Sequence, residues 1–474
     1  MVVGDIATGT DVLVVGAGPG GYTAAIRAAQ LDLDVTLVEK DAYGGACLNH
    51  GCIPSKALIS ATDRAQQARE GEHMGVHADP AIDMAGMVAW KDEVVDQLTS
   101  GVEKLCKGNG VNLIEGTAEF ADEHTARIAH SGEGQGAESV EFEHAIIATG
   151  SRPIELPGFE FDGERILSSR EALAMDRVPD RFLVVGAGYI GMELATVYAK
   201  AGSDVTVVEA LDGALPGYEA DVTRVVRKRA EELGIDFQFG QKAAEWTETD
   251  DGLTVVTESE DGTDAEFDAD AALVAVGRRP VTDTLAIEDA GIETDERGFI
   301  RTDDRARTDQ AHVFAIGDVA GEPMLAHKAM AEGHVAAEVI AGEPAALDHQ
   351  AIPAAVFTDP EIGTVGLTES EAEAEGFEPV VGEFPLRASG RALTMDETEG
   401  FVRIVADADS EFILGAQIVA PEASELIAEV GLAIEMGATL EDVIGTVHTH
   451  PTLAEAVMEA AANARGQAIH TLNR

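Results

Sequence analysis

Basic residues are scarce in this chain. Lys and Arg total 32 against 87 Asp and Glu, and only nine are Lys, so the formal net charge is −55. Such a balance excludes non-specific nucleic-acid binding and makes anionic membrane surfaces poor partners. The acids are spread over the whole length, whereas a docking tail would concentrate them. Spread acidity points to a cytoplasm of very high salt, where carboxylates hold water and repulsion is screened. Long apolar runs are also missing. No stretch of about 18 apolar residues occurs, so no membrane-spanning helix is expected. The N-terminus lacks a basic region followed by an apolar core, so no signal peptide is expected and a cytoplasmic location is. Cysteine is rare too, with three in 474 residues. In a reducing cytosol, a disulfide among so few would be transient and catalytic.

Two of the three cysteines stand close together, in Gly44-Gly45-Ala46-Cys47-Leu48-Asn49-His50-Gly51-Cys52-Ile53-Pro54-Ser55-Lys56. On a regular helix their Cα atoms would lie roughly 8.6 Å apart, and a disulfide needs about 7 Å or less. A bridge therefore requires an irregular turn, and Gly51 supplies the freedom for one. Pro54 suits the first turn of a helix that follows. A zinc site would want a closer pair and two more ligands, and His50 alone offers little. Unlinked core thiols would be flanked by apolar residues, not by Gly, Asn and His. A redox-active pair is the favoured reading of the three. Cys106 has no local partner and reads as a buried, inert thiol.

What the chain has in abundance is glycine, 50 residues, and its placement organises the sequence. Gly16-Ala-Gly18-Pro-Gly20-Gly21 follows the apolar run 11–15, and Gly186-Ala-Gly188-Tyr189-Ile190-Gly191 follows 182–185. Each reads as strand, tight turn, helix. A second strand after each helix ends on an acid, Glu39 or Glu209, at the same spacing from the first glycine, and the two modules are offset by 170 positions. The first glycine makes the turn, the second lets a pyrophosphate approach the backbone, and the third lets helix pack on strand. The acid accepts ribose hydroxyls. Two such motifs in register predict two dinucleotide-binding modules.

Each module closes on an apolar strand, 145–148 before Thr149-Gly150 and 272–275 before Val276-Gly277. The first module is the longer. Its excess holds the cysteine segment and a helical stretch over 87–108. A strand at 312–316, leading into Gly317-Asp318, is expected to return to the first sheet. Beyond residue 350, strands are expected at 362–365, 401–405 and 413–419, and helices at 423–436 and 453–463. Between those helices lies His448-Thr449-His450-Pro451-Thr452, with Glu455 five residues after His450.

Taken together, these motifs resemble the pyridine nucleotide-disulfide oxidoreductases over essentially the whole chain, and within them the branch that acts on dihydrolipoamide. The resemblance implies an α/β fold with two Rossmann-like dinucleotide-binding domains and a C-terminal α+β dimerisation domain. The expected bounds are 1–150 for an FAD domain carrying the redox disulfide and 151–278 for an NAD domain. A central domain over 279–349 would complete the FAD site, and 350–474 would form the dimer interface. It implies that Cys52 lies against the flavin and that Cys47 is the thiol exchanging with substrate. Lys56 would lie beside the flavin, paired with Glu193. FAD would be held by Gly16, Gly18, Gly21, Glu39, Lys40, Gly45, Ala46, Lys56, Gly116, Ala118, Thr149 and Gly150, with Asp318 on the ribityl chain and Ala326-His327-Lys328 near the ring. NAD would be held by Gly186, Gly188, Tyr189, Ile190, Gly191, Glu209, Val276, Gly277 and Arg278, with Tyr189 covering the nicotinamide pocket. His450, supported by Glu455, would be the base, reaching the disulfide of the other subunit of a homodimer; a carboxylate-supported imidazole can take a thiol proton near neutral pH. Metal binding by His448 and His450 is the rival reading. A cis His450–Pro451 bond is expected to be accessible.

Two positions depart from the family pattern: Ala46 stands where Thr is general, and His50 where an apolar residue is frequent. Glu209, followed by Ala-Leu-Asp, would repel a 2′-phosphate, so NAD is expected over NADP. That disfavours a glutathione-reductase-like enzyme, and no cysteine follows Cys106 to provide the second pair of a mercuric reductase. The expected activity is oxidation of protein-bound dihydrolipoamide with NAD as acceptor. The partner implied is a lipoylated carrier protein of a 2-oxoacid dehydrogenase or glycine-cleavage system. A non-catalytic FAD- and NAD-binding sensor is the reading from another class.

Overall fold

Runs such as Val12–Val15 and Val35–Val38 have nearly continuous apolar side chains, the pattern of parallel strands covered on both faces. In the computed structural model, which describes residues 8–131, 136–259 and 262–473, both lie at the centre of a sheet. The described residues divide into two units. Residues 1–7 and 132–135 of the expected first domain, 260–261 of the expected NAD domain and 474 of the last lie outside the described residues.

The first unit comprises Met1–Gly163, Leu167–Arg177 and Val276–Asp348. Its parallel strands run in the order Asn112–Asp122, Val35–Glu39, Thr8–Val15, Ala137–Ile147 and Val313–Ala315. The last strand joins beside Ala145–Ile147, as the apolar run at 312–316 led us to expect. The two long strands continue beyond this layer and pair with Thr125–His130 as an antiparallel extension. Helix Pro19–Gln30 begins with proline in its first turn, where the missing N–H costs nothing. It crosses helix Ala326–Ile340 at glycine contacts: a Cβ on Gly20 would lie 2.9 Å from Ala329 O, and one on Gly333 would lie 2.6 Å from Gly20 O. The stretch expected at 87–108 is helix Met84–Gly108. It starts three residues earlier because Asp83 caps it, accepting from Gly86 N at 3.1 Å.

The second unit comprises Glu164–Ile166, Val178–Ala275 and His349–Arg474. Its parallel strands run Asp236–Phe239, Asp204–Glu209, Arg181–Val185, Ala271–Val274. A three-stranded antiparallel sheet, Gln241–Thr249, Gly252–Ser259 and Asp264–Ala269, follows. The C-terminal part is a five-stranded antiparallel sheet: Ala354–Val356, Glu361–Gly366, Ile413–Ala420, Phe401–Asp407, Pro379–Pro385. Helices Ala423–Glu435 and Glu455–Ala464 cover one face of it, so close that a Cβ on Gly382 would fall 2.0 Å from Ala460 O. The second of these helices starts two residues later than expected from the sequence, because 452–454 belong to the loop before it.

Candidate active site

The two glycine modules are built alike, bond for bond. Gly16 N donates to Val38 O and Gly186 N to Val208 O, both at 2.8 Å. Both glycines have positive φ, +101° and +104°, which favours glycine at the turn. A Cβ on Gly21 would lie 1.8 Å from Gly16 O, and one on Gly191 would lie 2.0 Å from Gly186 O. Helix therefore meets strand only because these residues carry no side chain. A Cβ on Gly18 or Gly188 would meet nothing within 4 Å. Each middle glycine thus faces an open cradle at a helix N-terminus, where backbone N–H groups and the helix dipole favour a phosphate.

The acids complete each cradle. Glu39 accepts from Ala17 N at 2.7 Å and Asp41 N at 2.8 Å. Glu209 accepts from Ala187 N at 2.7 Å and Leu211 N at 2.9 Å. Both carboxylates are buried, and each oxygen keeps a second lone pair for a ribose hydroxyl. The residues present fit two dinucleotides, one per unit.

The cysteine segment folds as two helices, Gly45–His50 and Cys52–Glu70, broken at Gly51 where a Cβ would crowd Ala46 O at 3.0 Å. This is the irregular turn that the spacing demanded. The segment rests on the first glycine loop: Gly44 N donates to Ala17 O at 2.8 Å, and a Cβ on Gly45 would lie 2.6 Å from Gly18 Cα. Asn49, which the sequence reading passed over, locks the first helix by donating to Tyr43 O and Gly45 O. Cys47 is half-buried and Cys52 exposed, both as thiols. A hydrogen bond with Cys52, then burial and the Cys52 charge, push the Cys47 thiol up, while Lys56 pulls it down. The Cys47 proton is thus hard to remove while Cys52 carries charge. Cys106 is buried, and burial raises its thiol to about 11, which fits an inert role.

His50 closes the first helix and lies 3.5 Å from Asp41, which also meets Arg170 at 3.2 Å. Burial first, and Arg170 second, lower the imidazole below its ordinary value, while Asp41 works against them. Its neutral form is therefore favoured beside the thiols.

The remaining expected FAD residues lie in the same unit. Ser151 donates to Asp318 at 2.5 Å, and Arg278, expected on the NAD side, donates to Ser151 Oγ and O, each at 2.8 Å. The Gly317 N–H is held by the buried carboxylate of Glu332 at 2.6 Å, which Lys328 also meets at 2.8 Å. Glu332 was not singled out from the sequence, because nothing nearby in the chain marks it. Thr149 donates to Val281 O at 2.6 Å, beside Gly150. Ala326 opens its helix. Lys40 is exposed just beyond Glu39. Gly116 backs onto Ala129 O, and the Ala118 methyl lies in the apolar core, so neither offers a side chain to a ligand. Ala46 lies beside Cys47, and Val276 and Gly277 lead into Arg278. In the second unit, Tyr189 is 44% exposed at the start of its helix, followed by the half-buried Ile190. Glu193 is buried and accepts from Phe357 N at 2.9 Å.

His450 is exposed, and its Nδ1 lies 2.9 Å from Glu455 Oε1. Glu455 Oε2 accepts from Thr452 N at 2.9 Å. Burial raises the Glu455 carboxyl, but Thr452 N–H and His450 outweigh it and hold it low. The His450–Pro451 bond is cis. Among the described residues, no group of three or more His, Cys, Asp or Glu could hold a metal ion.

A dithiol on a nucleotide cradle, a second cradle and a carboxylate-supported histidine define a two-nucleotide disulfide oxidoreductase. The chain belongs to the pyridine nucleotide-disulphide oxidoreductase family, whose pattern it matches over residues 10–333 and, for the dimerisation domain, 352–461. It is 71% identical to dihydrolipoyl dehydrogenase 2 of Haloarcula marismortui, over 99% of this chain and 100% of that one. It is 69% identical to the dihydrolipoyl dehydrogenase of Haloferax volcanii over the full length of both. The crystal structure of LpdA from Mycobacterium tuberculosis superposes with a TM-score of 0.89 at 30% identity, over 95% of this chain and 99% of that one.

Proposed function

We infer that this chain is a homodimeric, FAD-dependent dihydrolipoamide dehydrogenase that uses NAD. The observation that carries the reading is the Cys47–Cys52 dithiol, seated on the first glycine loop at the break between two helices. Full-length likeness to dihydrolipoyl dehydrogenases supports it. Relatives from halophilic archaea agree with the salt adaptation read from the charge.

The steps proposed for the chain's own residues balance as follows. His450 of the partner subunit takes a proton from one substrate thiol, with Glu455 holding the ring. The substrate thiolate attacks Cys47 of the oxidised Cys47–Cys52 pair, and Cys52 leaves as thiolate. The second substrate thiol, giving its proton to solvent, then attacks the substrate sulfur of the mixed disulfide and displaces Cys47, which takes the proton held by His450; the lipoamide disulfide closes, leaving Cys47 as thiol and Cys52 as thiolate. FAD, held at the first cradle, would supply the two-electron acceptor that links the Cys47–Cys52 pair to NAD at the second. The chain's part is to bind and orient: Gly18 and Glu39 for FAD, Gly188 and Glu209 for NAD, Lys56 beside the thiolate, and Tyr189 over the nicotinamide pocket. The four-domain division read from the sequence is part of the same proposal. So is a lipoylated carrier protein as the physiological substrate. No helix among the described residues is long and apolar enough to cross a membrane; a cytoplasmic site of action is proposed with the rest.

A glutathione-reductase-like activity with NADP is the second reading. Glu209 disfavours it, because a carboxylate already engaged by two N–H groups stands where a 2′-phosphate would need cations. Side-by-side assays with dihydrolipoamide and NAD, dihydrolipoamide and NADP, and glutathione disulfide and NADPH decide the matter. Turnover confined to the last pair would sink the proposed function.

A further inference from the structure

A second histidine–glutamate pair stands behind the one already described. His448 is two residues from His450, yet its side chain is only 6% exposed where that of His450 is 79% exposed. Its Nδ1 lies 2.9 Å from Thr446 O and its Nε2 2.7 Å from Glu429 Oε1. Both ring nitrogens are thus engaged by acceptor groups of the protein. Glu429 belongs to helix Ala423–Glu435. The other bonds of the loop are local: Thr446 to Asp442, Thr452 Oγ1 to Thr449 O, and Thr452 N to Glu455. His448 is thus the anchor that fastens the loop to a helix outside its own flanks.

We propose that His448 and Glu429 are positioning residues, a partly buried pair that fixes where residues 446–452 present the base His450. The proposal rests on His450 being the base. Bonds from Glu455 orient the His450 ring but leave the loop's placement on the body of the unit unset; the His448–Glu429 link supplies it. A base displaced by about 1 Å can cost up to about a hundredfold in rate, whereas the NAD cradle of Gly188 and Glu209 is built without this loop.

The test measures the FAD-loaded dimer in molar salt, as wild type, Glu429→Gln, Glu429→Asp, His448→Gln, the double variant Glu429→Gln/His448→Gln, and His450→Gln. Dimer mass and FAD content are recorded for each. The expected result for either single removal is a fall in kcat with dihydrolipoamide of about tenfold or more, with KM within about twofold. NADH-driven ferricyanide reduction, which needs no thiol base, should stay unchanged. The double variant should be no worse than the worse single, as for two halves of one pair, and Glu429→Asp should recover part of the loss. If His450→Gln is inactive while Glu429→Gln and His448→Gln keep kcat within twofold, the positioning role is overturned and the base assignment stands. If His450→Gln retains kcat, the base assignment fails, and this proposal with it. Losses that follow dimer or FAD loss, with no recovery in Glu429→Asp, would reduce the pair to a structural prop and also overturn it.

Discussion

Alanine at the second and third glycines of the NAD module should separate binding from folding. At Gly188 the backbone is extended, φ −70° and ψ 176°, and an added Cβ meets nothing within 4 Å. Gly188→Ala therefore carries no clash. It limits the unfolded chain, worth about 0.4–1 kcal/mol, and loses a glycine at a helix N-cap for the poorer alanine, a cost of similar size. The two nearly cancel, and the melting temperature should hold within a few degrees. The methyl, however, enters the cradle where the pyrophosphate would meet the helix N-terminus. Losing one hydrogen bond to a charged group costs about 1.5–3 kcal/mol, so NADH affinity should fall roughly 10- to 150-fold. Gly191→Ala is the opposite case. Its Cβ would lie 2.0 Å from Gly186 O, inside the 3.0 Å that real Cβ atoms respect, so the turn must open. Overpacking costs about 1–3 kcal/mol, which should lower the melting point by roughly 2–12 °C. Thermal unfolding of the FAD-loaded protein in molar salt, with calorimetric NADH titration, reads both. Wild-type NADH affinity in Gly188→Ala, or equal melting points for the two variants, would refute the assignment of the cradle.

The thiols should divide their work: Cys47→Ser should lose lipoamide turnover yet keep a long-wavelength thiolate–flavin absorbance, and Cys52→Ser should lose both. Identical spectra for the two would cancel the assigned roles. Mixing inactive His450→Gln with inactive Cys47→Ser subunits under exchange should restore roughly a quarter of wild-type activity, since about half of the dimers are mixed and each then has one complete site. No recovery after verified exchange means the base does not act across the dimer. With net charge −55, dilute buffer should bring slow inactivation with flavin release or dimer loss, because screening lengthens from about 3 Å at 1 M to about 30 Å at 0.01 M salt; days of full activity without salt would contradict this. Asp359 meets Lys200 at 2.8 Å and Arg229 at 3.2 Å. Burial raises its carboxyl, but the two cations outweigh burial and hold it low. A lowered folded value means the stabilisation is present above the ordinary carboxylate range and lost as pH falls through the folded value. Asp359→Asn should therefore cost about 3 kcal/mol or more at pH 7 and flatten the acid limb of the stability profile; an unchanged acid limb would rule the pair out as its source.

The motifs legible in the chain are those whose partners lie close in sequence or whose residue type admits one geometry. The glycine turns, the acids at fixed spacing, the broken cysteine helix and the base loop are of this kind, because a glycine that must touch a carbonyl leaves no substitute. The boundaries of helices Met84–Gly108 and Glu455–Ala464 shifted where a cap or a loop latch, not periodicity, set the start. Strands Ala354–Val356 and Pro379–Pro385 escaped the reading altogether: three residues are too few to show alternation, and the other run is broken by Gly382 and bounded by prolines. Tertiary structure alone decided the contacts between residues far apart in the chain. It set Gly45 against Gly18, Arg170 against the Asp41–His50 pair, the Glu332 carboxylate on Gly317, and Glu429 behind His448. A carboxylate carries no mark of the N–H or imidazole it will meet. That choice is made only when packing brings the two together and removes water from between them, so that each must find a partner.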